Sequence, residues 1–288
     1  MKSKINLSIV IPAFNEEENI GKTLKGLKEY LAKLDLDHEI IVINDASIDR
    51  TSQILNRISD IKIINHPYNK GYGASLKTGS RAAQNDYLLF FDGDSQHKPE
   101  NIEKLIRYLP EYDMVVGARK GYQGPASRQP GKKILTWLAN YLVGKKIPDI
   151  NSGFRLVKKD LFLKFTHILP NSFSASTTIT LAFYKDALNI KFVPITINKR
   201  KGESKVKIRH GLSTLLLILR VIMLFNPLKI FIPISLFLLI FGILFSLFGI
   251  IYYGRMPSSG ILIILSGIIL FFNALLADQL SALRRERK

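Results

Sequence analysis

The sequence predicts an α/β domain built on a mainly parallel, doubly wound sheet, followed by a helical hairpin that spans a membrane. Three observations predict it. Apolar strand-like runs alternate with amphipathic helical stretches through the first part of the 288 residues. Polar residues, several of them acidic, collect at the ends of those runs, where doubly wound sheets bind their ligands. Two charge-free apolar stretches, Ile230–Gly254 and Met256–Ala277, lie towards the other end. Each is as long as the roughly 20 residues that a span needs.

The elements follow in order. Leu7–Ala13 reads as the first strand. Asn15 stands where it can cap the next helix, with Glu18 at the capping-box position. Glu16, Glu17 and Glu18 suit the positive start of that helix. Ile20, Leu24, Leu27, Leu31 and Leu34 then mark one helical face. Further strands are expected at Glu39–Asn44, Ile61–Asn65, Tyr87–Asp92 and Met114–Ala118, with helices near 50–58, 72–84 and 99–108.

The composition narrows the class. Of the residues 47% are hydrophobic and none is cysteine. Such an apolar fraction suits a packed chain and excludes a disordered one. The missing thiols exclude disulfides, thiolate metal sites and cysteine nucleophiles. There are 41 Lys and Arg against 23 Asp and Glu, a net charge of +18, with a mean hydropathy of +0.12. A basic nucleic-acid binder carries its charge on a recognition helix or groove. Here the net charge is −2 over residues 1–118, +15 over 119–210 and +5 over 211–288. The basic block leads straight into the apolar stretches. An anionic membrane surface, not nucleic acid, is the expected partner.

The polar link Gly254-Arg255-Met256-Pro257-Ser258-Ser259 makes the two stretches a hairpin. The basic run 199–209 and the terminal Arg284, Arg285, Arg287 and Lys288 flank one side, and only Arg255 flanks the other. Both termini are therefore expected in the cytoplasm, with a multi-pass protein in the cell membrane. Leu7–Phe14 is too short for a signal peptide and has no small-residue cleavage site. The expected division is a cytoplasmic globular domain over 1–210, a juxtamembrane helix over 211–228, and spans and tail over 229–288. The first of these divides again at 118 and 119, between an acidic and a basic half. Two segments, Lys132–Val143 and 208–225, are apolar at helical spacing with basic residues around them. They fit either the headgroup plane or packing on the globular domain.

Acidic side chains at the ends of buried strands cost desolvation unless something compensates. Asp92 and Asp94, with the amide oxygen of Gln96, follow the apolar run Tyr87–Phe91 and offer hard oxygen ligands for Mg²⁺ or Mn²⁺. Helix capping by Asp94 and Ser95 ahead of Pro99 is the alternative. Gly71-Tyr72-Gly73 is no dinucleotide fingerprint, since Leu76 stands at the third glycine. Gly21-Lys22-Thr23 is no phosphate loop, since Glu16 stands at its first glycine. The five histidines form no His-Glu-x-x-His array and read as surface or packing residues. Phe173–Thr180 is unusually small and polar, and reads as a helix start near the mouth of the site or as ordinary Ser/Thr capping.

A family resemblance joins these blocks. Ser8–Glu17, Ile43–Thr51, Asn69–Ala74 and Asp92–His97 resemble, in order, the successive motifs of family 2 glycosyltransferases. Asn151-Ser152-Gly153-Phe154-Arg155 and Lys199–Lys205 resemble the branch of dolichol-phosphate mannosyltransferases and polyprenyl-phosphate glycosyltransferases. The likeness covers about residues 5–210, and the two-span tail is similar to that of polyprenyl-phosphate glucosyltransferases. It implies a GT-A fold and inverting transfer from a nucleotide sugar. UDP-glucose and GDP-mannose both suit it as donors, with a polyprenyl phosphate as acceptor. By resemblance, Pro12, Ala13, Asn15, Glu16 and Asp45 hold the nucleoside, with Asp92 beside them. Asp92, Asp94 and Gln96 hold the metal on the diphosphate. Arg119, Arg128 and the basic segment with Lys199, Arg200 and Lys205 surround the acceptor and donor phosphates. The chain departs from the pattern in places. The usual Asp-Asp-Gly-Ser reads Asn44-Asp45-Ala46-Ser47, Lys199 replaces an arginine, and Lys132 replaces a serine. The Gln-x-x-Arg-Trp signature of processive synthases is missing.

The implied chemistry needs no histidine. A phosphate monoester has a second pKa near 6, so at neutral pH it is largely a dianion and needs no general base. Positioning of the two substrates and cationic groups that offset their repulsion would then carry catalysis. Two other readings differ in class. A sugar hydroxyl as acceptor requires a base, for which Asp149, Asp160, Asp186 and Glu203 are available, Asp149 alone beside a motif. A membrane scaffold that kept the fold without activity is the second. A homo-oligomer through the spans is compatible with all three.

Overall fold

The computed structural model describes residues 5–119, 129–198 and 219–286. The expected alternation is present. β1 (Asn6–Ala13), β2 (Asp37–Asn44), β3 (Lys62–Asn65), β4 (Tyr87–Phe90) and β5 (Met114–Arg119) are separated by helices. These are α1 (Ile20–Leu31), α2 (Thr51–Leu55), α3 (Tyr72–Ala82) and α4 (Asn101–Ile106). Then come α5 (Gln129–Val143), β6 (Arg155–Lys158), α6 (Lys159–Phe165), α7 (Ala175–Lys185) and β7 (Ile190–Ile195). Two long helices follow, α8 (Leu228–Tyr253) and α9 (Ser258–Glu286). The chain divides into two compact units, one within 1–136 and 145–208, the other within 137–144 and 209–288.

The first unit is built on one seven-stranded sheet in the order β3-β2-β1-β4-β6-β5-β7. β1 pairs with β2 and β4, β2 with β3, and β5 with β7, all parallel. β6 runs antiparallel between β4 and β5. The strands β6 and β7 lie outside those expected from the pattern. Arg155-Leu156-Val157-Lys158 is too short for any period to register. The helical face read from the sequence is the buried one: Ile20, Leu24, Leu27 and Leu31 are fully inaccessible and pack with Leu7, Ile9 and Ile11 of the sheet. Each such side chain contributes roughly 1.5–3 kcal/mol.

Two local expectations are corrected. Asn15 does not cap α1, which starts at Ile20 without a side-chain cap. Residues 17–19 form a turn instead. The polar run 173–180 does not cap α7 either. Residues Ala175–Phe183 are buried on all sides of that helix. Thr178 and Thr180 donate back to the Ser174 and Ser176 carbonyls, and Thr177 donates to the Asn151 side chain. Small side chains that satisfy their own hydroxyls are what let the helix be enclosed.

In the second unit α8 and α9 are long and apolar enough to cross a membrane. Gly254 closes α8 in the left-handed conformation (φ 65°). The two helices meet along small residues. A Cβ on Gly242 would lie 2.8 Å from Ile264, and one on Gly267 would lie 2.9 Å from Leu239. Val221, Ile222, Leu224 and Phe225 of the helical turn 219–225 are buried, and Ser281 of α9 donates to the Leu224 carbonyl. On α5, Trp137 is 65% exposed and stacks on Tyr141 (5.8 Å). The Tyr141 hydroxyl donates to the Lys229 carbonyl, and the Lys229 ammonium lies 4.7 Å over the tyrosine ring. An amphipathic aromatic pair thus stands at the foot of α8.

Candidate active site

β1 and β2 end side by side, Ala13 opposite Asn44, so the loops after them meet. They are laced by side chains. Asn15 N donates to Ser47 Oγ (3.0 Å), Ile48 N to Asn15 Oδ1 (2.8 Å) and Glu16 N to Thr51 Oγ1 (2.8 Å). Asn15 and Ala46 both take positive φ (52° and 56°) to make this turn. Asp45, 3% exposed, starts the second loop. Its carboxylate accepts the backbone N–H groups of Lys70 and Gly71 (2.8 Å each) and His66 Nδ1–H (2.6 Å). His66 Nε2 lies 2.9 Å from Thr78 Oγ1, a second hydrogen bond that fixes the ring. A buried carboxylate is stable only with such partners. Asp45 therefore fixes the loop that leads into α3.

The loop after β4 carries the Asp-x-Asp pair. Asp92 Oδ1 accepts the Tyr72 hydroxyl (3.1 Å) and Oδ2 accepts His97 Nε2–H (3.2 Å). Burial alone would raise the Asp92 carboxyl. The His97 contact, the Tyr72 hydrogen bond and the Arg119 charge outweigh it and hold the group below the usual carboxylate range. Burial, reinforced by Asp92, pushes the Tyr72 phenol well above its ordinary value, so it stays a donor. Two residues on, Asp94 Oδ1 accepts the Gln96 backbone N–H (3.1 Å). Ser95 takes φ 59°. It is braced from α1: Thr23 Oγ1 donates to the Gly93 carbonyl (3.2 Å) and lies 2.7 Å from Ser95 Oγ. Asn198 N donates to the Gln96 carbonyl (2.9 Å), so the chain enters the basic segment from beside this loop. A cavity of about 650 Å³ opens here, lined in part by Asn19, Lys22, Asp94, Ser95, His97 and Asn198.

The segment before β6 closes over Asp92. A Cβ on Gly153 would lie 2.6 Å from Tyr72 Oη and 2.9 Å from Asp92 Oδ2, so a larger residue there would displace both side-chain tips. Ser152 donates to the Gly117 carbonyl (2.6 Å). Arg155, 1% exposed, donates to the Ser152 and Ser176 carbonyls and to Thr180 Oγ1. Burial lowers it to about 10, and it stays charged at neutral pH. At the end of β5, Arg119 grips Asp149 in a bidentate pair, Nε to Oδ2 at 2.7 Å and Nη2 to Oδ1 at 3.0 Å. Asp149 is 6% exposed along its side chain and its charge is matched.

Pro12, Ala13, Asn15, Glu16, Asp45, Asp92, Asp94 and Gln96 thus lie at the carboxyl ends of the adjacent strands β1, β2 and β4. Arg119 ends β5. Arg128, Lys199, Arg200 and Lys205 lie outside the described residues. Among the described residues no three His, Asp or Glu side chains converge as a ready-made metal cage. Asp92 and Asp94 are two hard carboxylates, and Mg²⁺ is commonly held by one or two carboxylates plus substrate phosphates. The donor set fits such an ion.

Pattern reading misses four residues of this region: His66, Tyr72, His97 and Arg155. Two of the histidines are not surface groups, since His66 and His97 are each 6% exposed and bonded to site carboxylates. The available signal was position, since His66 directly follows β3 and His97 closes the Asp-x-Asp block. Gly71 and Gly73 find their reason in packing: a side chain on either would run into the backbone of 170–172.

Comparison with known proteins places the chain. The model of glycosyl transferase family 2 matches residues 8–165, and that of the GtrB C-terminal hairpin matches 226–283. A dolichol-phosphate mannosyltransferase of Pyrococcus furiosus is 30% identical over 216 residues, 70% of this chain and 60% of that one. An undecaprenyl-phosphate 4-deoxy-4-formamido-L-arabinose transferase of Proteus mirabilis is 28% identical over 190 residues, 60% of this chain and 58% of that one. Among solved structures, glucosyl-3-phosphoglycerate synthase of Mycobacterium tuberculosis, in complex with Mn²⁺, UDP and glucosyl-3-phosphoglycerate, covers 77% of this chain and 79% of its own, with a TM-score of 0.59. At 20% identity that likeness shows the fold, which is GT-A. With its first domain matched over more than half of the chain, the protein belongs to glycosyltransferase family 2 and is a glycosyltransferase.

Proposed function

We propose that the enzyme transfers a hexosyl group, glucose or mannose, from a UDP- or GDP-sugar to a polyprenyl phosphate, with inversion, at the cytoplasmic face of the cell membrane. One observation carries the choice of acceptor. A sugar hydroxyl would need a base, and Asp149, the carboxylate beside the Asn151–Arg155 motif, is already neutralised by Arg119. A phosphate dianion needs none. Its oxygen forms the new bond to the anomeric carbon, and the bond from that carbon to the nucleoside diphosphate breaks. The named activities of the two relatives point the same way.

Pro12, Ala13, Asn15, Glu16 and Asp45 form the nucleoside side. Asp92, Asp94 and Gln96 hold Mg²⁺ or Mn²⁺, which when bound neutralises the diphosphate leaving group. Arg128, Lys199, Arg200 and Lys205 offset the repulsion between two anionic substrates, and Arg119 reaches the site as an ion pair with Asp149. Residues 1–210 act as the catalytic domain, 211–228 as a juxtamembrane helix, and 229–288 as the anchor.

The test is a panel of radiolabelled nucleotide sugars offered to membranes with polyprenyl phosphate, with and without EDTA. A lipid-soluble, EDTA-sensitive product is expected. Asp94→Ala should lose nearly all transfer and keep its fold. A water-soluble product, indifference to EDTA, or wild-type turnover in Asp94→Ala would overturn the reading.

A further inference from the structure

We propose that Tyr72 and His97 are positioning residues that hold the Asp92 carboxylate in one orientation towards the divalent cation and the diphosphate. The proposal deepens the metal reading above and rests on it.

Asp92 stands on a loop just past the end of β4, where a carboxylate would otherwise rotate about its last torsion. Here each oxygen receives one donor, Tyr72 Oη at 3.1 Å and His97 Nε2 at 3.2 Å. A carboxylate oxygen has two lone-pair sites, so one site on each oxygen is left to face a ligand.

The two donors are themselves immobilised. The Tyr72 ring stacks on Phe173 (5.1 Å, 20° between planes). The His97 ring stacks on Phe154 (4.9 Å, 23°) and meets Phe91 edge-on (5.8 Å). The Gly153 backbone closes a third side. A residue placed only to fill this space would need no polar tip, and phenylalanine would serve the stack on Phe173 equally well. The hydroxyl and the imidazole N–H have their purpose at Asp92. Groups that orient a metal ligand through hydrogen bonds typically change metal affinity about 10–100-fold when removed.

The experiment uses the full chain in detergent. Mn²⁺ is titrated and followed by the electron paramagnetic resonance of the free ion, in the presence of UDP and, in a second series, GDP. Tyr72→Phe keeps the ring stack and should weaken Mn²⁺ binding about ten-fold, with the melting temperature unchanged. His97→Leu should weaken it likewise. His97→Gln, which restores an N–H where Nε2 stands, should recover most of the loss. Asp92→Asn, weakened in either case, is the reference for the metal reading. Wild-type Mn²⁺ affinity in Tyr72→Phe beside a weakened Asp92→Asn overturns the positioning role alone. So does a His97→Gln no better than His97→Leu. Wild-type affinity in Asp92→Asn overturns the metal reading and the proposal with it.

Discussion

Ala46 bears local backbone strain at the candidate site. It occupies the place of the glycine in the usual Asp-Asp-Gly-Ser block and holds φ at 56°. The left-handed region costs an L-residue roughly 1–2 kcal/mol. Glycine avoids that cost but loses more freedom on folding, about 0.5–1 kcal/mol relative to alanine. Ala46→Gly should therefore stabilise the domain by about 0.5–1 kcal/mol, seen as a higher melting temperature. A lower one would mean that the Ala46 methyl makes a compensating contact. At this scale the sequence exposes acidic ligands well, because Asp92 and Asp94 follow an apolar run. It hides their partners. His97 closes the loop that carries Asp92, whereas Tyr72 opens α3 and meets Asp92 only once α3 is packed on the sheet. No spacing rule connects Asp45 to Lys70, or Arg119 to Asp149, since both pairings span tens of residues.

Elements were readable in proportion to their length and period. α1 announces its face through leucines at helical spacing, and that face is the buried one. β6 has four residues and no period, and its antiparallel insertion between β4 and β5 is a tertiary decision. α7 is invisible as an amphipathic helix because it is enclosed on all sides. α3 gives a test in which two element-level effects oppose each other. Helix propensity says that Gly73→Ala in its first turn should stabilise by about 1 kcal/mol. The packing says otherwise: the new Cβ would meet the Pro170 carbonyl and lie 2.9 Å from the Ala175 methyl. Overpacking of this kind costs about 1–3 kcal/mol, and the contact is with backbone, which yields poorly. Gly73→Ala should lower the melting temperature and, by displacing its neighbour Tyr72, lower turnover. A stabilised variant would show that the 170–172 loop moves aside freely.

For the whole molecule the charge pattern carries the argument. A near-neutral first block holds the carboxylates, a +15 middle block follows, and the hairpin comes last. If the basic block is to meet anionic lipid from the cytoplasm, the short turn at Arg255 must emerge on the other side, because Lys and Arg near the spans set orientation. The chain has no cysteine, so any introduced thiol is unique. Arg255→Cys in intact cells should react with a membrane-impermeant maleimide, and Lys288→Cys should react only after permeabilisation. The reverse pattern would put the catalytic domain outside, where it would meet neither a cytoplasmic nucleotide sugar nor the leaflet that its basic block requires. Labelling at both positions would mean that the apolar helices do not both cross. In that case α8 and α9 would have to be covered by protein, although their outward faces carry Phe237, Phe241, Leu262 and Leu276 at roughly half exposure or more. A hairpin that exposes those side chains has hydrocarbon as its natural solvent, and the labelling decides which way round it is threaded.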